Sequence, residues 1–358
     1  MTLQGDTLMK AAILKRVCEM KVMELERPQV VSGGLLVEVG ACGICRTDVK
    51  MYHKGHRDLK LPRVLGHEVS GTILEVGREV KEYFDVDMRV QIAPGIVCGM
   101  CRYCLMDAPN MCDRMRIIGF HLDGGFAEYI WVPPSAIRSG CVNPLPPSLS
   151  FEVASLVELL ACCINSQRLA RVGLKDVVVV IGCGPAGVLQ AKLARFFGAE
   201  SVIVIEKDPK RVEMAKQVVR EADMVVNSSS EDPLEVVASV TDGRGADVVI
   251  IACSNGNAQL QGLEMLAKRG RLSMFSGLPS ETPVILLNSN EIHYKEAQII
   301  GAYGCTSLQN HQAIWLLGSE KIDVSGLITH RFKLDDILEG FKIIEIKKGL
   351  KAVIKTKK

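Results

Sequence analysis

The sequence predicts an α/β protein in which a mostly β first part is joined to a doubly wound parallel sheet. Three observations carry this expectation. At 358 residues the chain exceeds what one hydrophobic core usually supports, so two domains are expected. Five β-branched apolar residues, Val177-Val178-Val179-Val180-Ile181, run without interruption, as in a strand buried on both faces. That run passes at once into Gly182-Cys183-Gly184-Pro185-Ala186-Gly187, a helical stretch over 188–197 and a second apolar strand over 201–205 that ends in Glu206.

Strand, glycine-rich turn, helix, strand and acid in that order make a dinucleotide fingerprint. Gly182, Gly184, Pro185 and Gly187 form the turn over which the backbone approaches a pyrophosphate at a helix N-terminus, and Glu206 is placed to take the ribose hydroxyls. A carboxylate there repels a 2′-phosphate, so NAD is favoured over NADP, a preference that Lys207, Lys210 and Arg211 moderate. Strands over 224–226, 247–252 and 270–275 continue the βαβ alternation.

In the first part, Met9 opens the first expected strand, which leaves residues 1–8 as an extension, and a strand over 35–39 leads into Ala41-Cys42-Gly43-Ile44-Cys45-Arg46-Thr47-Asp48. Downstream, Leu65-Gly66-His67-Glu68 sets an imidazole beside a carboxylate. Zinc takes thiolate, imidazole and carboxylate ligands, and a catalytic centre keeps one position for water or substrate, so Cys45, His67, Glu68 and the later Glu158 are candidate ligands. Glu158 lies in the apolar run Leu156-Val157-Glu158-Leu159-Leu160-Ala161, where a carboxylate is costly unless paired or metal-bound. Cys42 reads as a small buried residue. A helix is expected over 151–170.

The spacing of Cys98, Cys101, Cys104 and Cys112, CxxCxxCx7C in a loop over 95–113, suits a closed all-thiolate zinc site of the structural kind. Two disulfides or an iron-sulfur cluster are the alternatives. A bound zinc contributes on the order of 10 kcal/mol to folding, so such a loop needs no core of its own.

Basic and acidic residues nearly balance, 43 against 41 for a net charge of +2, and no block of like charge appears apart from the short basic C-terminus. A nucleic-acid or membrane partner held by electrostatics is therefore not expected. Hydrophobic content of 48% supplies ample core, yet Glu158 and Gly182 interrupt the longest apolar runs, and the N-terminus lacks a secretory pattern. A soluble cytoplasmic protein with reduced thiols is expected, in spite of 13 cysteines.

From Met9 onward the chain resembles the zinc-containing medium-chain alcohol and polyol dehydrogenases of the sorbitol and L-iditol type, which are related to the threonine dehydrogenases. Gly43-Ile44-Cys45-Arg46-Thr47-Asp48 and Gly66-His67-Glu68, with Gly71 and Gly77 behind, carry the likeness. It implies a GroES-like catalytic domain over 1–152, a Rossmann coenzyme domain over 153–301 and a return to the first domain over 302–358. By the resemblance, Cys45 and His67 bind catalytic zinc and Asp48 hydrogen-bonds the histidine. Thr47 passes the substrate proton, Arg46 meets the cofactor pyrophosphate, and Glu158 lies at or beside the metal. Leu159 stands where relatives have proline, and Gly95 where threonine dehydrogenases have histidine.

The function expected is hydride transfer between NAD and a secondary alcohol, a polyol, sugar alcohol or cyclitol, by a homodimer or homotetramer with one catalytic and one structural zinc. Oxidation of threonine or of a vicinal diol is the enzymatic alternative. A non-catalytic NAD-binding protein, or a zinc-free enone reductase, is disfavoured because the metal ligands are present. Met51, Tyr52, Phe120 and His121 are expected to shape the substrate pocket.

Overall fold

Six parallel strands form the sheet of the unit spanning residues 160–304, in the order Met224–Asn227, Ser201–Glu206, Val177–Ile181, Ala246–Ile251, Leu266–Met274, Gln298–Gly301. This computed structural model describes residues 8–356. Val177–Ile181 is central, paired in register from Val177↔Ser201 to Ile181↔Ile205 on one side and from Val178↔Val248 on the other. Each of its residues is buried, which is why the sequence shows no polar alternation. Chain order reverses on either side of this strand, and such a switch point opens a crevice at the carboxyl ends of the strands.

Gly182 leaves that strand at φ +103°, and a Cβ on Gly187 would lie 1.8 Å from Gly182 O, so the turn closes only with glycine at both positions. The helix that follows is Pro185–Phe196, three residues longer at its start than its hydrophobic spacing suggested, because proline suits the first helical position.

The other unit comprises residues 1–159 and 305–358. A sheet with strand order Val142–Pro144, Arg89–Ile92, Glu68–Val76, Leu35–Ile44, Lys351–Lys355, Ile328–Lys333 runs through it, with Tyr129–Val132 also paired to Leu35–Ile44. Leu8–Arg16, Glu19–Glu26 and Arg63–Val64 form a smaller sheet. Leu8 already belongs to the first strand, one residue before the expected Met9, and the rest of the expected extension lies outside the described residues. Leu14, Leu35, Ile73, Ile92 and Phe126 are fully buried and centre the core.

Strand Leu35–Ile44 pairs Gly43 with Glu68 on one edge and with Val353 on the other. The C-terminal strand is thereby stitched into the same ladder that holds the metal-type residues. Ala352, Val353 and Ile354 are fully buried there, and burial of a Val or Ile side chain is worth about 1.5–3 kcal/mol.

One expected element is broken. Residues 151–170 form two helices, Phe151–Ala154 and Val157–Leu169. Ser150 caps the first through the Val153 N–H at 3.2 Å, and the Ser155 hydroxyl donates to Glu152 O at 2.7 Å where it stops. Such side-chain bonds to the backbone compete with a continuous helical ladder.

Candidate active site

Helix Arg46–Lys54 begins on Cys45. Cys45 Sγ accepts the Thr47 N–H at 3.4 Å, and Asp48 Oδ2 accepts the Cys45 N–H at 2.9 Å, a reciprocal capping box. The cap holds the thiol at the N-terminus of the helix. Thr47 is half-buried in the first turn and Arg46 is exposed.

Asp48 is fully buried, and its second oxygen, Oδ1, lies 3.2 Å from Nδ1 of the nearly buried His67. With Nδ1 facing Asp48, Nε2 is the ring nitrogen left for a metal. Burial alone would lower the His67 pKa; the Asp48 carboxylate and Cys45 outweigh it and hold the imidazole well above its ordinary value. Glu68 opens the next strand, fully buried.

Ligand atoms of Cys45, His67 and Glu68 lie within 4.8 Å of one another. His67 Nδ1, Asp48 Oδ1 and Glu68 Oε2 are buried without a well-aligned hydrogen bond. A sulfur, an imidazole and a carboxylate, with surplus negative charge behind them, are a donor set that fits zinc.

Glu68 has a partner that the sequence did not reveal. Lys351 Nζ donates to Glu68 Oε1 at 2.5 Å and also contacts Oε2, and the lysine is itself 2% exposed. Gly43 makes room for the pair, since a Cβ there would lie 2.0 Å from Glu68 Oε2 and 3.0 Å from Lys351 Cε. Burial alone would lower the lysine, but Glu68 and then Cys45 hold it above its usual value. The only trace in the sequence is a lysine inside the otherwise apolar Leu350-Lys351-Ala352-Val353-Ile354.

Glu158 is placed apart from the other three expected ligands. It lies in the first turn of Val157–Leu169, with its carboxylate within 4.8 Å of Cys305 Sγ and outside the group of Cys45, His67 and Glu68. Its charge still acts on Glu68 and Lys351. Cys42 is fully buried, and burial pushes its thiol well up, as suits an inert packing residue.

Sulfurs of Cys98, Cys101, Cys104 and Cys112 also lie within 4.8 Å of one another. Two short strands, Gly95–Ile96 and Arg116–Ile117, pinch the base of this lobe. Met100, Leu105 and Met106 are exposed at 69%, 75% and 62%, so the lobe has little core of its own to hold it. Backbone N–H groups aim at the sulfurs: Cys98 to Cys112 and Cys101 to Cys98 at 3.3 Å, Arg114 to Cys112 at 3.4 Å. Such bonds from Cys104 and Asp113 bring Cys101 down to about 6, while burial and the neighbouring thiols raise Cys104 to about 12. All 13 cysteines are free, so the disulfide alternative is not realised.

At the nucleotide turn, Gly184 caps the helix and Pro185 is its first residue. Glu206 Oε2 accepts the Cys183 N–H at 2.9 Å, while Oε1 accepts those of Lys207 at 2.8 Å and Asp208 at 3.0 Å. The acid therefore ties the turn to the end of the second strand. Arg211 Nη1 lies 3.3 Å from the position a Cβ on Gly184 would take, and its Nε is buried without a hydrogen-bond partner.

Two family models match the chain, the "Alcohol dehydrogenase GroES-like domain" over residues 32–143 and "Zinc-binding dehydrogenase" over residues 185–318. An L-threonine 3-dehydrogenase of Bacillus subtilis is 34% identical over 325 residues, covering 90% of each chain. The chain belongs to the zinc-binding dehydrogenases. A sorbitol dehydrogenase of Bacillus subtilis is 31% identical over 338 residues, 93% of each chain. Among solved structures, one described as a zinc-binding dehydrogenase from Sinorhizobium meliloti 1021, bound to NADP, matches with a TM-score of 0.90 and 28% identity, over 98% of this chain and 100% of that one. Like its family, this chain is a zinc-dependent oxidoreductase that moves a hydride between a nicotinamide cofactor and an alcohol, on a GroES-like domain joined to a Rossmann-like parallel sheet.

Proposed function

We propose that this zinc-binding dehydrogenase oxidises a secondary alcohol of a polyol, sugar alcohol or cyclitol with NAD. The observation that carries the reading is the group of half-buried Cys45 with buried His67 and Glu68, backed by Asp48. Cys45, His67 and Glu68 would hold the zinc, which would supply Lewis-acid polarisation of the substrate hydroxyl. Asp48 orients the His67 ring, and the Thr47 hydroxyl, two residues after Cys45 in the first helical turn, would take the alcohol proton, with a bound nicotinamide supplying the hydride acceptor. Burial raises the Glu68 carboxyl above its ordinary value, opposed by Lys351 and His67 and reinforced by Glu158. Arg46 meets the cofactor pyrophosphate. A second zinc, on Cys98, Cys101, Cys104 and Cys112, holds the lobe.

Gly182, Gly184, Pro185 and Gly187 cradle the pyrophosphate, with Arg211 over Gly184. Glu206 favours NAD, since a 2′-phosphate would face its carboxylate. Threonine is the second reading, favoured by the 34% identical relative. Gly95, where threonine dehydrogenases have histidine, weighs toward a polyol.

The enzyme works in the cytoplasm as a homodimer or homotetramer. Thirteen free cysteines support a reducing compartment, and among the described residues no helix is long and apolar enough to cross a membrane. Strand Gln298–Gly301 ends its sheet with Ile299 exposed, an open strand edge suited to a second copy, and Val284, Leu286 and Tyr294 are also exposed on the same unit.

The test is NADH formation with sorbitol, xylitol, inositol-type cyclitols, butanediol and threonine, before and after chelation. Polyol oxidation that disappears with the metal and returns with zinc is expected. Turnover that ignores chelation, or a marked preference for threonine, would sink the polyol reading.

A further inference from the structure

Beyond the metal group, Phe120 joins His67 to two further histidines. Its ring meets His67 edge-on, with centroids 5.6 Å apart, and meets His56 at 5.3 Å; His121 is its chain neighbour. In His56, Nδ1 accepts the Asp58 N–H at 3.2 Å, and in His121, Nδ1 accepts the Ile117 N–H at 3.1 Å. Each ring therefore offers Nε2–H as a donor. Burial, helped by nearby cations, outweighs the Asp58 carboxylate and holds both below the ordinary histidine value, which favours the neutral rings.

Cations outnumber carboxylates around them. Lys50 and Arg57 act on His56, and Arg116, Arg63 and Lys60 on His121, against Asp58, the largest charge acting on either ring, whose carboxylate lies 3.4 Å from Arg57 Nε. Asp123 neutralises Arg63 at 2.9 Å. Lys50, Arg57, Lys60 and Arg116 are exposed, whereas His56, Asp58, Arg63 and His121 are half-buried. Two N–H donors with an excess of cations acting on them suit an anion better than a neutral hydroxyl chain, which would need acceptors as well as donors. The net charge of the whole chain is only +2, so the local excess is not a general property of its surface.

We propose that the substrate carries an anionic group, a phosphate monoester or a carboxylate, held by His56 and His121 with Lys60 and Arg116, while its carbinol lies at Cys45 and His67. The inference rests on the reading of that metal group as the pole of a polyol site. It makes the natural substrate a sugar-alcohol phosphate or a hydroxy acid.

The experiment is steady-state oxidation of arabitol, arabitol 5-phosphate and arabinonate by the zinc-loaded enzyme with NAD, at low and high potassium chloride. An anionic substrate is expected to exceed arabitol in kcat/KM by at least about 30-fold, with the advantage falling as salt rises. Which of the two anions leads identifies phosphate or carboxylate as the group. In the paired variants His56→Gln with His121→Gln, and Lys60→Gln with Arg116→Gln, that ratio is expected to fall at least about tenfold, mainly through KM. The second pair lies on exposed positions and keeps the test open if the first misfolds. Equal use of arabitol and its anionic forms, or a salt-independent ratio, would overturn the inference and leave the polyol reading standing. Failure to oxidise any secondary alcohol would overturn both.

Discussion

Lys351 and Glu68 form an ion pair in which both side chains are almost without solvent, 3% and 0% exposed, although 283 positions separate them in the chain. The C-terminal strand thus reaches the proposed metal site. Removing one member of a buried pair leaves an uncompensated charge, which typically costs about 3–5 kcal/mol. Lys351→Met is expected to lose stability of that order in urea unfolding, and Lys351→Met with Glu68→Gln to recover much of it. A single-variant loss below about 1 kcal/mol would show that the pair carries no net stability.

Asp48 serves the helix cap and the His67 ring at once. Asp48→Asn keeps the shape but weakens the charge that orients the imidazole. Zinc affinity at this site is expected to fall about 10–100-fold, read by competition with a chromophoric chelator. Because Asp48 and Cys45 raise the His67 pKa, protons compete with the metal, so zinc loading should also weaken as pH falls. Unchanged affinity in the variant would remove Asp48 from the account.

Cys104→Ser opens the four-sulfur lobe. The variant is expected to retain one zinc per chain in place of two and to become sensitive to proteolysis over 97–115. Cys101 sits at about 6 in the metal-free lobe, so zinc release from the wild-type lobe should set in on acidification as the thiolates take up protons. A lobe equally resistant to proteases with and without zinc would contradict a structural role.

Glu206→Ala removes the acceptor of the Cys183, Lys207 and Asp208 N–H groups. The KM for NAD is expected to rise about tenfold, while that for NADP falls as the repelling charge goes. Parallel losses with both cofactors would mean that Glu206 only braces the turn.

Glu152 receives Arg331 at 2.6 Å and Lys355 at 3.2 Å. Burial alone would raise its pKa, but the two cations outweigh burial and hold the carboxyl below the ordinary carboxylate range. A depressed folded value gives stability that is present above the unfolded value of about 4.3 and is lost as pH falls through the folded one. Glu152→Gln is therefore expected to cost about 1 kcal/mol at pH 7, with the gap to wild type closing on descent below about pH 4. A gap independent of pH would point to packing instead.

Local pattern explains what the sequence made legible. Cys45 with Asp48, and His67 with Glu68, are close neighbours in the chain, and Cys98 to Cys112 supply four sulfurs from one loop. Val177 to Gly187 announces its strand, turn and helix because a strand buried on both faces has no polar alternation to blur it. What stayed hidden depends on distant register. Lys351 reaches Glu68 only because Lys351–Lys355 pairs beside Gly43, and no local period encodes that pairing. The sequence points to Phe120 and His121 as pocket residues but carries no sign of His56, which only the fold brings against the Phe120 ring that also meets His67. The break at Ser155 escaped notice because hydrophobic spacing continues across it, while a single hydroxyl bond to Glu152 O accompanies the end of the first helix.

The central claim is that Cys45 and His67 hold a zinc on which alcohol oxidation depends. The most direct measurement is zinc content, NAD binding and polyol oxidation compared in wild type and Cys45→Ser. Two zinc ions per chain are expected in the wild type and one in the variant, with oxidation lost and NAD binding retained. A variant that keeps both zinc ions and oxidises the polyol at the wild-type rate would contradict the account.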